Sequence, residues 1–173
     1  LDHGLERLGE VGSPGGPNDD FLRDEREQVA HASARVDAQR LRWEQGSLTT
    51  DGLQAAGWTL QEWLHFLNRA TRPQPVARLQ ELDRRFQLTG SRNAEIAHAW
   101  FRLALASDYP GLEPALERYL TSIGRMKLIE PIYEDLLKTP QGAVFARRVY
   151  AQARPGYHAI AQSGLDDLMQ GTP

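Results

Sequence analysis

Apolar residues recur at helical spacing along most of the chain, and glycine or proline interrupts the pattern at short intervals. No segment between these turn signals alternates apolar and polar residues, as a half-buried strand would. The sequence therefore predicts an all-α fold of about nine helices with short connections, in which sequential neighbours are antiparallel. A strict repeat signature is absent, so we expect an irregular α-α solenoid of stacked helical hairpins. The best-formed helical stripe consists of Leu112, Ala115, Leu116, Tyr119, Leu120 and Ile123.

The glycine and proline content divides the chain into three parts. Residues 1–17 hold five glycines and two prolines, a composition that supports neither a long helix nor a sheet. We interpret them as a linker or the start of a fragment, residues 18–169 as a single helical domain, and residues 170–173 as a polar tail. Asn18 and Asp19 are candidate N-caps for the first helix.

Local capping signals mark several helix boundaries. Thr59 followed by Glu62 fits a capping box, in which each side chain bonds to the backbone N–H of the other residue. Thr139 and Pro140 fit the N-cap and the first helical position of a later helix. A break near Gly164 is expected to divide the last helical region.

The composition excludes several functional classes. The 173 residues carry a net charge of −3, which argues against a nucleic-acid coat or a polybasic membrane surface. No apolar run is long enough to span a bilayer, and no signal-peptide pattern is present in this sequence, which favours a cytoplasmic location. Because cysteine is absent, disulfides, thiolate catalysis and thiolate zinc sites are excluded. We therefore expect no nucleic-acid partner and no membrane partner.

The sequence lacks the motifs of a self-contained active site. No two of the five histidines are four residues apart, so the zinc-binding helix motif His-Glu-x-x-His is absent. The nucleophile elbow Gly-x-Ser-x-Gly is also absent. Acidic neighbours such as Asp166 and Asp167 point apart on a helix, which makes paired acid–base work unfavourable. We predict no catalytic residue and no metal ligand in this chain.

One connector, Thr121–Pro131, carries polar side chains that can converge. Gly124 has the position of a glycine that ends a helix in the left-handed conformation, and Pro131 has the position of the first residue of the next helix. If the residues between them are extended, Arg125 and Lys127 point to the same side and form an anion site. The same two charges are also compatible with an ordinary solvated loop.

Several segments in the second half of the chain resemble a known family. They are Asn93-Ala94-Glu95-Ile96, Trp100-Phe101-Arg102-Leu103, and Gly124-Arg125-Met126-Lys127 with the later Pro131 and Asp135-Leu136. Together they resemble the C-terminal helical domain of leukotriene A4 hydrolase and related zinc aminopeptidases, and the Gly-Arg-Met-Lys tetrapeptide is the most specific element. The resemblance extends more weakly from about Val36 to about Met169. It implies a right-handed superhelix of antiparallel helix pairs that closes over the active-site cleft of a separate catalytic domain.

The resemblance also implies a ligand for the connector. In that family the Arg and Lys of the tetrapeptide hold the carboxylate of the peptide substrate, and the matching residues here are Arg125 and Lys127. The family's zinc ligands and catalytic residues are not in this sequence. We therefore expect a chain that is inactive alone and whose partner is a catalytic domain, outside this sequence, that holds the zinc. Glu130 stands where relatives commonly have a more basic residue, and it is placed to pair with Arg125 or Lys127.

Two other functions stay open. A stand-alone helical scaffold would bind a protein through its concave face. A small enzyme would use an acid–base site that matches none of the motifs above. The accessory-domain hypothesis differs from both, because it predicts that Arg125 and Lys127 lie together on an exposed surface.

Overall fold

Helices make up most of the folded chain. The structure is a computed structural model that describes residues 17–171, and among these it contains eight α-helices, two short 3-10 turns and no strand. The predicted all-α class is confirmed. The helices are α1 (Pro17–Glu44), α2 (Leu60–Arg69), α3 (Val76–Phe86), α4 (Ala94–Leu105), α5 (Glu113–Ser122), α6 (Met126–Leu136), α7 (Pro140–Ala153) and α8 (Ala159–Gly171), and the 3-10 turns are Thr50–Gly52 and Arg154–Gly156.

Side-chain caps begin α2 and α7 where the sequence predicts them. The Thr59 hydroxyl accepts a hydrogen bond from the Glu62 N–H at 3.3 Å, and the Glu62 carboxylate accepts one from the Thr59 N–H at 2.8 Å. Thr139 caps α7 through the N–H of Gly142 at 3.1 Å. Such caps stabilise a helix by about 1 kcal/mol, because they satisfy N–H groups that have no partner within the helix.

The start of α6 differs from the prediction. This helix begins at Met126, so Pro131 lies inside it rather than at its first position. Gly124 does not have the positive φ that Gly111 has, so the left-handed helix ending predicted there is also wrong. Proline at position 131 removes the hydrogen bond to the Lys127 carbonyl, and apolar burial along the helix offsets that loss. The side chains that α6 buries are Leu128, Ile129, Ile132, Tyr133 and Leu136.

The first and last helices extend beyond their predicted bounds. α1 begins at Pro17, ahead of the candidate caps Asn18 and Asp19, and the rest of the predicted linker lies outside the described residues. α8 continues through Gly164 to Gly171, so the break expected near Gly164 is wrong and the predicted tail starts within the helix. Glycine in a helix costs only about 1 kcal/mol relative to alanine, and the packing of α8 against α6 outweighs that cost.

The helices stack in two series. α2, α4, α6 and α8 contact one another in that order, and α5 contacts α7. Contact between every second helix is what stacked helical hairpins produce. The apolar faces form one buried cluster from Val36 on α1 to Leu165 on α8. The handedness expected for a superhelix stays a prediction.

α4 and α6 lie side by side and run in the same direction. In three of the polar contacts between them, residue numbers rise together along both helices, which shows the parallel orientation. The contacts are Glu95 with Arg125, His98 with the Leu128 carbonyl, and Arg102 with Asp135. The first of these contacts lies where the N-termini of the two helices meet.

Candidate anion-binding site

The two predicted site residues, Arg125 and Lys127, lie at the start of α6, and we refer to them as the cation pair. Arg125 is the N-cap residue, with φ −77° and ψ 112°, and Lys127 is the second residue of the helix. No side chain caps this helix start. The first N–H groups of the helix therefore have no side-chain partner, although the Leu128 N–H donates to the Arg125 carbonyl oxygen at 2.8 Å, and the helix dipole is positive here. Two cationic side chains and an uncapped helix N-terminus together favour the binding of an anion.

Glu95 on α4 already provides a carboxylate at this place. Arg125 Nη1 lies 3.5 Å from Glu95 Oε1, and Lys127 Nζ lies 3.7 Å from the same oxygen. The two cations therefore converge on one point, although Lys127 is helical rather than part of an extended connector. Their side chains are 61% and 63% exposed, whereas that of Glu95 is 31% exposed. The cation pair is thus open to solvent, and the acid that it contacts is less exposed than either cation.

Glu130 is not the acid that contacts the cation pair. Within the described part of the chain, the salt bridges of Arg125 and Lys127 go to Glu95, and none joins either residue to Glu130. Both cations reach toward α4 because the first turn of α6 packs beside the start of that helix. The pairing expected for Glu130 is therefore wrong.

Tyr119 on α5 fixes the start of α4. Its hydroxyl donates a hydrogen bond to the Ala94 carbonyl oxygen at 2.9 Å. Burial raises the pKa of Tyr119 above its ordinary value, the charge of Glu95 raises it further, and Arg125 opposes the shift. The phenol therefore remains protonated at neutral pH and keeps donating. Its bond holds the residue next to Glu95 against α5.

A pocket of about 340 Å³ lies between the start of α4 and the end of α5, and its lining does not include the cation pair. Its lining includes Ala94 from the start of α4 and Tyr119 and Ile123 from the end of α5. Arg92 and Arg118 also line the pocket, and no acidic residue does. Neither arginine forms a salt bridge within the described residues, so the wall of this pocket is positively charged.

The far end of the α4–α6 interface is held more tightly. Arg102 Nε donates to Asp135 Oδ2 at 2.7 Å, and Lys138 Nζ donates to Asp135 Oδ1 at 2.5 Å. The Asp135 side chain is only 10% exposed. Burial acts to raise the pKa of Asp135, but the hydrogen bonds and charges of its two partners outweigh burial and hold the pKa below its ordinary value. This carboxylate is therefore ionised and fixed in place at neutral pH.

His98 lies between these two ends of the interface. Its Nδ1 is 2.8 Å from the Leu128 carbonyl oxygen, so this nitrogen carries the proton and donates it. Burial lowers the pKa of His98 below its ordinary value, and the hydrogen bond to the carbonyl acts in the opposite direction. The neutral imidazole thus attaches the first turn of α6 to α4.

The described residues offer no metal site. Among residues 17–171, no group of three or more His, Cys, Asp or Glu side chains is placed to hold a metal ion. In the same part of the chain, no helix is both long and apolar enough to cross a membrane. What the cation pair can do chemically is bind and orient an anion.

Glu95 is the site residue that sequence reasoning does not identify. A local signal is present, because the Asn93 side chain accepts hydrogen bonds from the N–H groups of Glu95 and Ile96 at 3.0 and 3.1 Å and so marks the start of α4. The contact with Arg125, however, spans 30 residues. It depends on the parallel pairing of α4 with α6, which spacing within one helix does not reveal.

The chain matches known proteins over much of its length. The sequence model of the family described as "Leukotriene A4 hydrolase, C-terminal" matches residues 58–169, more than half of the chain. Leucine aminopeptidase 2 of Neurospora crassa is 27% identical over 128 residues, which are 72% of this chain and 19% of that protein. Leukotriene A-4 hydrolase of Xenopus laevis is 24% identical over 91 residues, which are 53% of this chain and 15% of that protein. The chain thus spans about a fifth or less of the length of these relatives.

The fold also has a counterpart among solved structures. The structure described as "Structure of native yeast LTA4 hydrolase" superposes with a TM-score of 0.63 at 18% identity, over 82% of this chain and 26% of that chain. At this identity the likeness concerns the fold. The family match over residues 58–169 goes further, and it shows that the chain belongs to the leukotriene A4 hydrolase C-terminal domain family.

Proposed function

We propose that this chain is the C-terminal accessory domain of a zinc-dependent aminopeptidase and that it anchors the carboxylate of the peptide substrate. The family membership supports the first part, as do relatives named aminopeptidases that are several times longer than the chain. One observation carries the second part. Arg125 and Lys127 converge on a single carboxylate oxygen, at 3.5 and 3.7 Å.

In this proposal the peptide is cleaved by a separate catalytic domain. The described residues contain no group that fits zinc, so the zinc and the residues that break the peptide bond would belong to that domain. This chain would close over the cleft and present the cation pair to the substrate. Exposed apolar side chains on α1, at Phe21, Leu22 and Val29, offer a surface on which such a domain can pack.

The two cations would contribute in different ways. Arg125 presents a planar guanidinium that can bind both oxygens of a carboxylate, and Lys127 adds a point charge. The uncapped start of α6 favours the same anion. A hydrogen bond to a charged group contributes about 1.5–3 kcal/mol, and fixing one end of a short peptide keeps its scissile bond aligned for reaction.

The test compares a tripeptide with its C-terminal amide as substrates of the full-length enzyme. Arg125→Ala should lower kcat/KM for the free acid about 10- to 100-fold and should affect the amide far less, because the amide has no charge to bind. Arg125→Lys should recover part of the loss, since it restores the charge without the planar fork.

The matched control is Arg42→Ala, which removes an exposed arginine from the last turn of α1 and should change neither substrate's kcat/KM. Equal losses for the acid and the amide in Arg125→Ala would reject the carboxylate anchor.

A further inference from the structure

Glu95 occupies the position that a ligand carboxylate would take. Both cations of the pair contact its Oε1 atom, at 3.5 and 3.7 Å. No other acidic side chain of the described residues lies within salt-bridge distance of Arg125 or Lys127. A ligand carboxylate and the Glu95 carboxylate therefore compete for the same two charges.

We infer that Glu95 is a resident carboxylate that holds the cation pair in the absence of substrate and is displaced by the substrate carboxylate. The inference rests on the proposed function, since it assumes that the pair binds a peptide carboxylate. It adds a specificity determinant to that site, because an anion that binds there must first outcompete Glu95.

The two salt bridges of Glu95 are long and exposed to solvent, which allows a ligand to break them. Its two contacts are longer than the 2.7–2.9 Å of a strong charge-assisted hydrogen bond, and both cations are more than half exposed. The Arg102–Asp135 salt bridge at the other end of the same interface is the internal comparison. It has a 2.7 Å contact, and its carboxylate is only 10% exposed. One end of the α4–α6 interface is thus tight and buried, and the other is long and solvated.

The displaced carboxylate retains favourable surroundings. Glu95 lies in the first turn of α4, where the helix dipole stabilises a negative charge whether or not a cation contacts it. Its side chain is partly exposed, so water replaces the contacts that it loses. Release of Glu95 therefore does not leave an unpaired charge in the core.

Competition by Glu95 also selects among anions. With Glu95 in place the site has two positive charges and one negative charge, so a small inorganic ion gains less there than at a bare cation pair. A peptide carboxylate gains binding energy from the rest of the peptide as well and can displace Glu95 where such an ion does not.

The experiment measures the binding of Ala-Ala-Ala and of its C-terminal amide to the full-length enzyme with its zinc removed, so that neither ligand is cleaved. Isothermal titration calorimetry gives a dissociation constant for each ligand. Glu95→Gln removes the competing charge at nearly constant shape and should tighten binding of the acid by up to about fivefold, the range that exposed salt bridges support. Binding of the amide should stay unchanged.

A second variant and a control complete the design. Glu95→Asp keeps a negative charge in the first turn of α4 but shortens the reach to the cation pair, so it should also tighten binding of the acid. Glu113→Gln removes an exposed first-turn acid of α5 that forms no salt bridge within the described residues, and should have no effect.

The outcomes separate this inference from the proposed function. If wild type and both Glu95 variants bind the acid equally, or if the variants bind it more weakly, Glu95 does not compete and the inference is overturned while the anchor stands. If the acid binds none of the proteins, or if Arg125→Ala leaves its binding unchanged, the carboxylate anchor itself fails and the inference fails with it.

Discussion

Replacing Gly124 with alanine is expected to leave the fold intact and to stabilise it slightly. Gly124 immediately precedes the N-cap residue of α6, so its conformation sets how the cation pair is presented. Its φ is not positive, and a Cβ built there would meet no atom within 4 Å. Alanine at a compatible position stabilises a protein by about 0.4–1 kcal/mol, because it restricts the unfolded chain.

Gly111 supplies the matched comparison. A Cβ at Gly111 would also meet no atom within 4 Å, but its φ is +76°. The two positions therefore share open space and differ in backbone conformation. Alanine in the left-handed region costs about 1–2 kcal/mol, so the free energies of unfolding of the two variants should differ by about 1.5–3 kcal/mol.

Urea denaturation followed by the fluorescence of the four tryptophans measures both variants against wild type. The expected order of stability is Gly124→Ala at or above wild type, with Gly111→Ala clearly below it. A loss of 1–2 kcal/mol in Gly124→Ala, equal to that in Gly111→Ala, would refute the reasoning. It would mean that Gly124 is left-handed after all, and that α6 does not present Arg125 and Lys127 as described above.

Two further variants test the interface between α4 and α6. Asp135→Asn should lower the free energy of unfolding by about 1–3 kcal/mol at neutral pH, because it weakens the hydrogen bonds from Arg102 and Lys138 to a mostly buried carboxylate. The folded-state pKa of Asp135 lies below the ordinary value of 3.8. The stability difference between wild type and Asp135→Asn should therefore persist above about pH 4 and disappear as the pH falls through the folded-state pKa. Urea titrations at decreasing pH measure this difference. For His98, burial lowers the folded-state pKa below 6.5, so below that pH the unfolded state binds a proton more readily and the wild type loses stability. His98→Gln, which stays neutral, should lose less stability than wild type between pH 7.5 and 5.5, and an identical loss would contradict the role of burial.

The parts of the fold that can be predicted from the sequence are those set by contacts a few residues apart. The capping box of Thr59 and Glu62 and the cap of Thr139 act across three residues, so their residue types alone identify them. The helical stripes are equally local, since their period follows from the geometry of one helix. The all-α class could be predicted for that reason.

The start of α6 could not be predicted, because a local rule and tertiary packing oppose each other there. Proline favours the first turn of a helix and disfavours its interior, which makes Pro131 a reasonable first residue. In the structure, burial of Leu128 and Ile129 extends the helix five residues further toward its N-terminus. Lys127 is consequently helical, and it reaches the same Glu95 oxygen as Arg125, the extended N-cap residue, rather than lying beside it on one face of an extended connector.

The contact of the cation pair with Glu95 depends on how α4 and α6 are registered, and the rest of their interface sets that register. The salt bridge between Arg102 and Asp135 and the hydrogen bond from His98 are short and at least partly buried. They fix the two helices without help from the Glu95 contacts. The Glu95 contacts can therefore be long and solvated without weakening the α4–α6 interface. A ligand that replaces Glu95 does not disturb the packing of the two helices. A site that must exchange one carboxylate for another is best placed at such a point, where neighbouring contacts determine the geometry and the exchanging group contributes little to stability.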